Sequence, residues 1–359
     1  MNTLRLTVDP AHLHSEQSQA AIASAAEILR SGGLVALPTE TVYGLGANAL
    51  DAAAVSRIFK AKQRPSWDPV IVHIAGPVLH NAMLAPLVTG LSNSAQKLMQ
   101  AFWPGPLTLL LPRSVSVPDI VTAGRPLVGV RMPAHSVAFE VIRRAAVPIA
   151  APSANTFGHI SPTTAAHVLD DLDGKIDAVI DAGPTRHGVE STVLDPNQSP
   201  MIIYRPGAIA AQQIREIAGP VELFPEFAPQ EISPQSLPSP GVGLRHYAPR
   251  AKLVLVEGAL ADLPQRLSAA AQLHTGARLG LMLPDELATI AAQSPFLNSR
   301  IFAWGRWSAP HELAERLYAG LRALDAESCE VVLCPVPRDT GIGEAIRDRL
   351  RKAAHPVSE

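Results

Sequence analysis

The chain has 359 residues, of which 47% are hydrophobic and 17% charged, so it can form more than one folded core, and two domains are expected. Its 30 basic and 32 acidic residues give a formal net charge of -2, which excludes a protein that holds nucleic acid by bulk charge alone. The sequence shows neither a signal-peptide pattern nor the roughly 20 apolar residues of a membrane span. Two cysteines, Cys329 and Cys334, are too few for a disulfide framework, and a cytoplasmic protein is expected.

Residues 1–217 alternate between helix and strand patterns. Apolar residues at helical spacing predict a helix over 15–31, which a pair of glycines ends, and a buried strand over 34–37 follows. Asp51 is expected to cap a second helix, which ends before Pro65. Later strands are predicted at 69–74, 107–112, 127–132, 147–151, 178–182, 191–195 and 201–205, and helices at 92–102, 136–145 and 163–172. The pattern indicates a mixed α/β domain.

Residues 218–249 are rich in proline, which disfavours helices and central strands and predicts an extended linker. Residues 250–359 then resume the alternation of strands and helices, with a helical pattern over 311–326. This alternation predicts a second, smaller, mainly parallel α/β domain of the Rossmann-like kind.

Two polar segments of the first domain are candidates for ligand binding. Residues 38–49, PTETVYGLGANA, follow a strand, and their glycines allow a ligand to approach the backbone, although a tight turn explains them equally well. Arg57, Lys60, Lys62 and Arg64 form a basic cluster with no acid between them. Such a cluster suits a polyanion, and a solvated helix end is the alternative.

Two strand residues of the first domain are further candidates for ligand binding. His73 lies on a strand whose alternate members are apolar, so its imidazole is expected to point to a cavity or to a hydrogen-bonded core position, and the core histidine is the favoured interpretation. Arg131 ends a buried strand and therefore needs an anion or access to solvent, because an unpaired buried guanidinium is costly.

Small polar side chains lie between the next strand and helix. Ser153, Asn155 and Ser161 could present donors to phosphates. Ser191 starts a later strand and Arg205 ends another. A hydrolase that uses Ser153 or Ser191 as its nucleophile is an alternative, but the GxSxG motif is absent.

The motifs together carry a resemblance that none of them carries alone. In chain order they read PTETVYGLGANA, KQR, DPVIVHI, WPGPLTLLL, VGVRMPAH, PIAAPSAN, GVESTV and YRPG. This series resembles the threonylcarbamoyl-AMP synthase (YrdC-like) family over about residues 15–210. HYAP at 246–249 and the second α/β domain are similar to its long, two-domain branch.

The resemblance implies a twisted mixed sheet with helices in the first domain and a basic concave face. It also implies an enzyme, a nucleotidyltransferase that uses ATP with Mg²⁺, L-threonine and bicarbonate. This enzyme would form threonylcarbamoyl-AMP and pyrophosphate. Other proteins would then transfer the activated group to the tRNA adenosine beside the anticodon, and a weak direct contact of this chain with tRNA is left open.

The motif matches also assign residues. The threonine site would be lined by Thr39, His73, Arg131 and Ser191. ATP would be held by Lys62, Arg64, Ser153, Asn155, Ser161, Arg205 and Tyr247. Of these, Lys62 and Arg64 would also serve catalysis by neutralising charge as pyrophosphate leaves. Asp68 departs from the family, in which an Asn is usual at this position, and its role is left open.

Two further questions remain open at this point. An RNA-binding module with the same basic face is the alternative to an enzyme, although an aromatic content of 4% is thin for base stacking. The linker, with its pliable glycines and Tyr247 at its end, could close over the site as a lid or serve only as a surface strap.

Overall fold

The computed structural model describes residues 2–224, Ser239 and residues 247–354, and their contacts form two compact units. Described residues of the first unit fall within Met1–Phe157, Pro162–Arg186 and Glu190–Gly243. Those of the second fall within Gly158–Ser161, His187–Val189 and Leu244–Glu359. Among the described residues, none of the helices is both long and apolar enough to cross a bilayer.

The first unit is built on one mixed sheet of 11 strands, in the order β1-β8-β2-β3-β7-β4-β6-β5-β9-β10-β11. Its strands are Leu4–Thr7 (β1), Val35–Leu37 (β2), Gly44–Asn48 (β3), Val72–His73 (β4), Leu107–Pro112 (β5), Leu127–Arg131 (β6), Ile149–Ala150 (β7), Ala178–Asp181 (β8), Thr192–Asp195 (β9), Met201–Arg205 (β10) and Val221–Leu223 (β11). Parallel and antiparallel pairs alternate irregularly along this sheet, which confirms the predicted mixed α/β class.

The helices described in this unit are Glu16–Arg30 (α1), Ala52–Lys62 (α2), Asn93–Phe102 (α3), Asp119–Thr122 (α4), Ser136–Ala145 (α5), Ala165–Leu172 (α6) and Ala211–Ala218 (α7). Four of them, α1, α2, α3 and α6, begin at a residue whose side chain caps the first turn. Asp51 caps α2 as predicted, since its carboxylate accepts a hydrogen bond from the Ala53 backbone at 2.9 Å. Gln63 then ends α2 in a left-handed conformation, with φ of 55°.

The central strands are buried on both faces of the sheet. In β2 and the residue before it, alternate side chains belong to different hydrophobic clusters, Leu34 and Ala36 to one and Val35 and Leu37 to the other. Helices therefore cover both faces, and the strand is continuously apolar rather than alternating.

Three segments differ from the sequence prediction. The stretch 38–49 is not only a turn, because Gly44–Asn48 forms β3, antiparallel to β2. The strand predicted over 69–74 is limited to Val72–His73. Val221–Leu223, placed in the linker by the sequence, pairs in parallel with β10 at the edge of the sheet. An edge position tolerates nearby prolines, which is why proline density did not exclude a strand there.

The second unit contains a parallel sheet of four strands in the order β12-β15-β13-β14, as its alternating sequence predicted. The strands are Lys252–Val256 (β12), Leu279–Pro284 (β13), Arg300–Gly305 (β14) and Val331–Pro335 (β15). The helices are Leu263–Gln272 (α8), Pro310–Ala326 (α9) and Ile342–Ala354 (α10), with a 3-10 helix at Asp285–Ala292.

Candidate functional site

A loop of buried hydroxyl side chains follows β2. The Thr39 hydroxyl donates to the carbonyl of Val42 at 2.7 Å, and the Thr41 hydroxyl lies 2.8 Å from Thr39 Oγ1. Because the single hydroxyl proton of Thr39 is used on Val42, Thr41 is the donor of the pair. Both threonines are buried and fixed by this network.

Arg131, the last residue of β6, meets this loop. Its Nη1 donates to Thr41 Oγ1 at 2.9 Å, its Nε donates to the Gly105 carbonyl at 3.2 Å, and its Nη2 lies 2.5 Å from Glu40 Oε1. The anion that a buried strand-end arginine requires is thus supplied by the chain itself. The sequence argument foresaw the requirement but missed Glu40, although it is the one acid in the segment 38–49.

Glu40 is ionised in this environment. Burial raises the pKa of its carboxyl, but chiefly because the positive charge of Arg131 lies so close, the pKa is lowered overall. Glu40 and Arg131 are both almost fully buried, with 6% and 4% of their side chains exposed. The two side chains form an ion pair without net charge, and this pair fixes the direction of the Arg131 guanidinium inside the protein.

His73 lies beside Arg131. The parallel pairing of β4 with β6 places the two residues in register, so their side chains leave the sheet on the same face. Burial, helped by the charge of Arg131, lowers the pKa of His73 to about 3. The imidazole is therefore neutral at physiological pH, and its Nδ1 is buried without a hydrogen-bond partner among the described residues. The sequence predicted a buried position that is either a cavity or a hydrogen-bonded core site and favoured the core site, whereas Nδ1 of the buried ring is left without a partner among the described residues.

Ser191 and Arg205 contact each other directly. Arg205 Nη2 donates to the Ser191 carbonyl at 3.0 Å and to its Oγ at 3.2 Å, and Thr108 Oγ1 lies 2.8 Å from the same Oγ. A residue predicted for threonine and one predicted for ATP are thus brought together. Thr108 was not foreseen from the sequence.

The glycine of YRPG explains how this contact is possible. A Cβ on Gly207 would lie 2.3 Å from the backbone nitrogen of Thr192 and 2.5 Å from the carbonyl carbon of Ser191. Only a residue without a side chain allows the two segments to approach this closely. Gly207 of the YRPG motif therefore allows its own segment to pack directly against the backbone of Ser191.

Lys62, at the end of α2, lies entirely inside the protein. Its Nζ donates to the carbonyl of Ser153 at 2.6 Å and the carbonyl of Asn155 at 2.5 Å, and reaches Asn155 Oδ1 at 3.4 Å. Burial and the charge of Arg64 hold the pKa of this amine well below its usual range. The structure brings together three residues predicted for ATP, with Lys62 fixing the loop that carries the other two.

Arg64 is also engaged within the chain. Its Nε donates to the Asp68 carbonyl at 3.1 Å, its Nη2 donates to the Pro69 carbonyl at 2.7 Å, and its guanidinium lies over the ring of Phe157. Nη2 also lies 2.9 Å from Asp68 Oδ1. The predicted picture of an uncompensated basic cluster is therefore wrong for this residue.

A second member of the basic cluster is compensated as well. Arg57 forms an ion pair with Asp177 at 2.7 Å and donates to the Gly32 carbonyl at 2.8 Å. The sequence suggested unopposed cations because their acidic partners lie outside the cluster itself.

The last two residues predicted for ATP belong to the second unit. Ser161 is fully buried there. Tyr247 stacks on Tyr318 with 5.6 Å between ring centroids, and Arg349 lies 5.2 Å above the Tyr247 ring. Of the predicted lid or strap, residues 225–238 and 240–246 lie outside the described residues, so the lid and the ATP role of Tyr247 stay predictions.

Two family models match consecutive parts of the chain. A family model described as "Telomere recombination" (Sua5, YciO and YrdC) matches residues 27–207, and one described as "Threonylcarbamoyl-AMP synthase, C-terminal domain" matches residues 209–355. The chain belongs to the threonylcarbamoyl-AMP synthase family. A threonylcarbamoyl-AMP synthase of Pyrococcus abyssi is 40% identical over 92% of this chain and 93% of its own, and one of Bacillus subtilis is 41% identical over 93% and 92%.

A solved structure extends the similarity to the whole fold. The crystal structure of P. abyssi Sua5 complexed with L-threonine has a TM-score of 0.87 and 38% identity, and the match covers 98% of each chain. The predicted family, its two-domain type and the enzyme class, a nucleotidyltransferase, are thereby confirmed.

Proposed function

We propose that this member of the threonylcarbamoyl-AMP synthase family uses L-threonine, bicarbonate and ATP, supplied with Mg²⁺, to form threonylcarbamoyl-AMP and pyrophosphate. The threonine amine and bicarbonate give a carbamate and water. A carbamate oxygen then attacks the α-phosphorus of ATP, and the bond to the β-phosphate oxygen breaks as pyrophosphate leaves. The product would serve threonylcarbamoyl modification of tRNA adenosine next to the anticodon, with transfer carried out by other proteins.

The observation that carries this proposal is the buried cluster at the ends of β2, β4 and β6. It presents hydroxyls from Thr39 and Thr41, a neutral imidazole from His73 and a fixed guanidinium from Arg131. A carboxylate pairs well with a directional guanidinium, and hydroxyl and imidazole groups can hydrogen-bond a substrate hydroxyl. The threonine-bound relative supports the choice of amino acid.

The second half of the proposed site is cationic. Lys62 would shape the loop of Ser153 and Asn155, while Arg64 and Arg205 would meet the phosphates. Arg205 also contacts Ser191, so it joins the nucleotide half to the threonine half. We assign no nucleophilic side chain: the substrates react with each other, and the chain contributes orientation and charge.

Pyrophosphate release tests the proposal. The full chain is incubated with ATP, Mg²⁺ and bicarbonate, and each amino acid is added in turn. Release that requires both threonine and bicarbonate supports the proposed reaction, whereas release that is independent of the amino acid contradicts it.

A further inference from the structure

Asp68 is a buried carboxylate to which the proposed reaction gives no role. It lies in the loop after α2, with none of its surface exposed. Both of its carboxylate oxygens are inaccessible to solvent. A buried carboxylate beside a site for a polyanion requires an explanation, since its charge opposes that of the ligand.

The contacts of Arg64 show that Asp68 is not needed to place the guanidinium. Backbone carbonyls already accept from Arg64, that of Asp68 at 3.1 Å and that of Pro69 at 2.7 Å. The carboxylate adds an ion pair at 2.9 Å to this arrangement. Its distinct contribution is therefore negative charge.

That charge lies among the cations of the nucleotide half. Burial raises the pKa of Asp68, and the positive charges of Arg64, Lys62 and Arg205, in that order, offset this rise only in part. The Arg64 guanidinium, 2.9 Å from Oδ1, is the contact that favours the carboxylate form. A metal ion at this carboxylate would face the same three positive charges, which disfavours a role as a metal ligand. An anion is what such an environment attracts, and Asp68 is the anion that the chain provides.

We propose that Asp68 is a resident counter-anion of the nucleotide site, which neutralises Arg64 when no nucleotide is bound and lowers the affinity for the triphosphate. This inference rests on the proposed function, because it requires ATP to bind at Arg64. A phosphate oxygen and the Asp68 carboxylate compete for the same guanidinium. Without nucleotide, the Asp68 carboxylate neutralises the buried charge of Arg64. A nucleotide must compete with this carboxylate, and ATP therefore binds more weakly.

The substitution Asp68→Asn tests this directly, because it removes the charge with little change of shape. ATP affinity of the full chain is measured by calorimetric titration. We expect the dissociation constant to fall about tenfold, the scale of one partly screened charge repulsion. Without nucleotide, the melting temperature should fall, since Arg64 loses its counter-charge.

Two comparisons make the test specific. Asp177→Asn removes the carboxylate that pairs with Arg57, a member of the basic cluster within α2, and we expect this substitution to leave ATP affinity unchanged. In an Arg64→Gln background, Asp68→Asn should no longer tighten ATP binding, because the shared guanidinium is gone.

The outcomes separate this inference from the proposed function. If the wild type binds ATP but Asp68→Asn binds it no more tightly, the inference is overturned and the proposed function stands. If the wild type neither binds ATP nor releases pyrophosphate, both fail. Should Asp68→Asn not fold alone, refolding with ATP but not with adenosine supports the inference, and failure with both contradicts it.

Discussion

Glu40 and Arg131 form a buried ion pair, with 2.5 Å between Oε1 and Nη2, at the centre of the proposed threonine site. The pair is neutral overall but strongly polar. A zwitterionic amino acid matches it, since an ammonium is attracted by the carboxylate and a carboxylate by the guanidinium.

Glu40→Gln should therefore change the selectivity between ligands with and without an amine. In the wild type we expect threonine to bind much more tightly than 3-hydroxybutanoate, which has the hydroxyl and the carboxylate but no ammonium. The variant should narrow this ratio about tenfold, because the ammonium loses its attraction to Glu40, whereas any change in carboxylate binding is common to both ligands. Calorimetric titration with both ligands measures it, and an unchanged ratio would show that Glu40 does not sense the amine.

Arg131→Ala should remove threonine binding while ATP binding survives. Loss of a charged hydrogen bond of about 1.5–3 kcal/mol corresponds to roughly a ten- to a hundredfold loss of affinity. The double variant with Glu40→Gln is the control, because it leaves no unpaired buried carboxylate. Equal threonine affinity of the wild type and both folded variants would contradict the assignment of Arg131.

Lys62→Met should weaken ATP binding and also destabilise the protein. The three buried oxygens that Lys62 contacts would lose their hydrogen-bond donor, which we expect to lower the free energy of unfolding by about 3 kcal/mol. Lys60→Met changes an exposed residue on the same helix and should cost less than about 0.5 kcal/mol. Denaturant unfolding with ATP and threonine titrations measures these effects. If Lys62→Met has the unfolding free energy and the ATP affinity of the wild type, the buried contacts of Lys62 are dispensable.

His73 should make folding stability depend on pH. Its pKa is about 3 in the folded chain against an ordinary value of 6.5, so below pH 6.5 the unfolded chain takes up a proton that the folded chain does not. Stability should therefore fall as the pH decreases, by up to about 1.4 kcal/mol per pH unit from this residue. Denaturant unfolding between about pH 6.5 and pH 5 measures the slope. His73→Gln should show a shallower slope, and identical slopes would rule out a neutral buried imidazole.

Local signals in the sequence were sufficient for much of the fold. Asp51 as a helix cap, the strand ending at Arg131 and the parallel second unit all follow from residue type and periodicity. The segment around Gly44 did not, because β3 is short and glycine-rich and pairs not only with its neighbour β2 but also with the distant strand β7.

The sequence allowed us to propose individual residues of the candidate site, but not the contacts between them. The sequence shows that Arg131 needs an anion, and Glu40 becomes its partner only when β6 is placed next to the loop after β2. The same holds for Arg57 and Asp177, which are far apart in the chain. Long-range pairing of this kind depends on strand order, which local patterns do not determine.

The product formed from isotopically labelled bicarbonate tests the central claim most directly. The full chain is incubated with ATP, Mg²⁺, L-threonine and carbon-13 bicarbonate, and the nucleotides are analysed by mass spectrometry. We predict a threonyl nucleotide that carries one labelled carbon, formed in step with pyrophosphate. Serine should replace threonine better than valine, since loss of a methyl costs only about 1 kcal/mol whereas valine leaves hydroxyl partners unpaired. Pyrophosphate release without a labelled nucleotide would contradict the account.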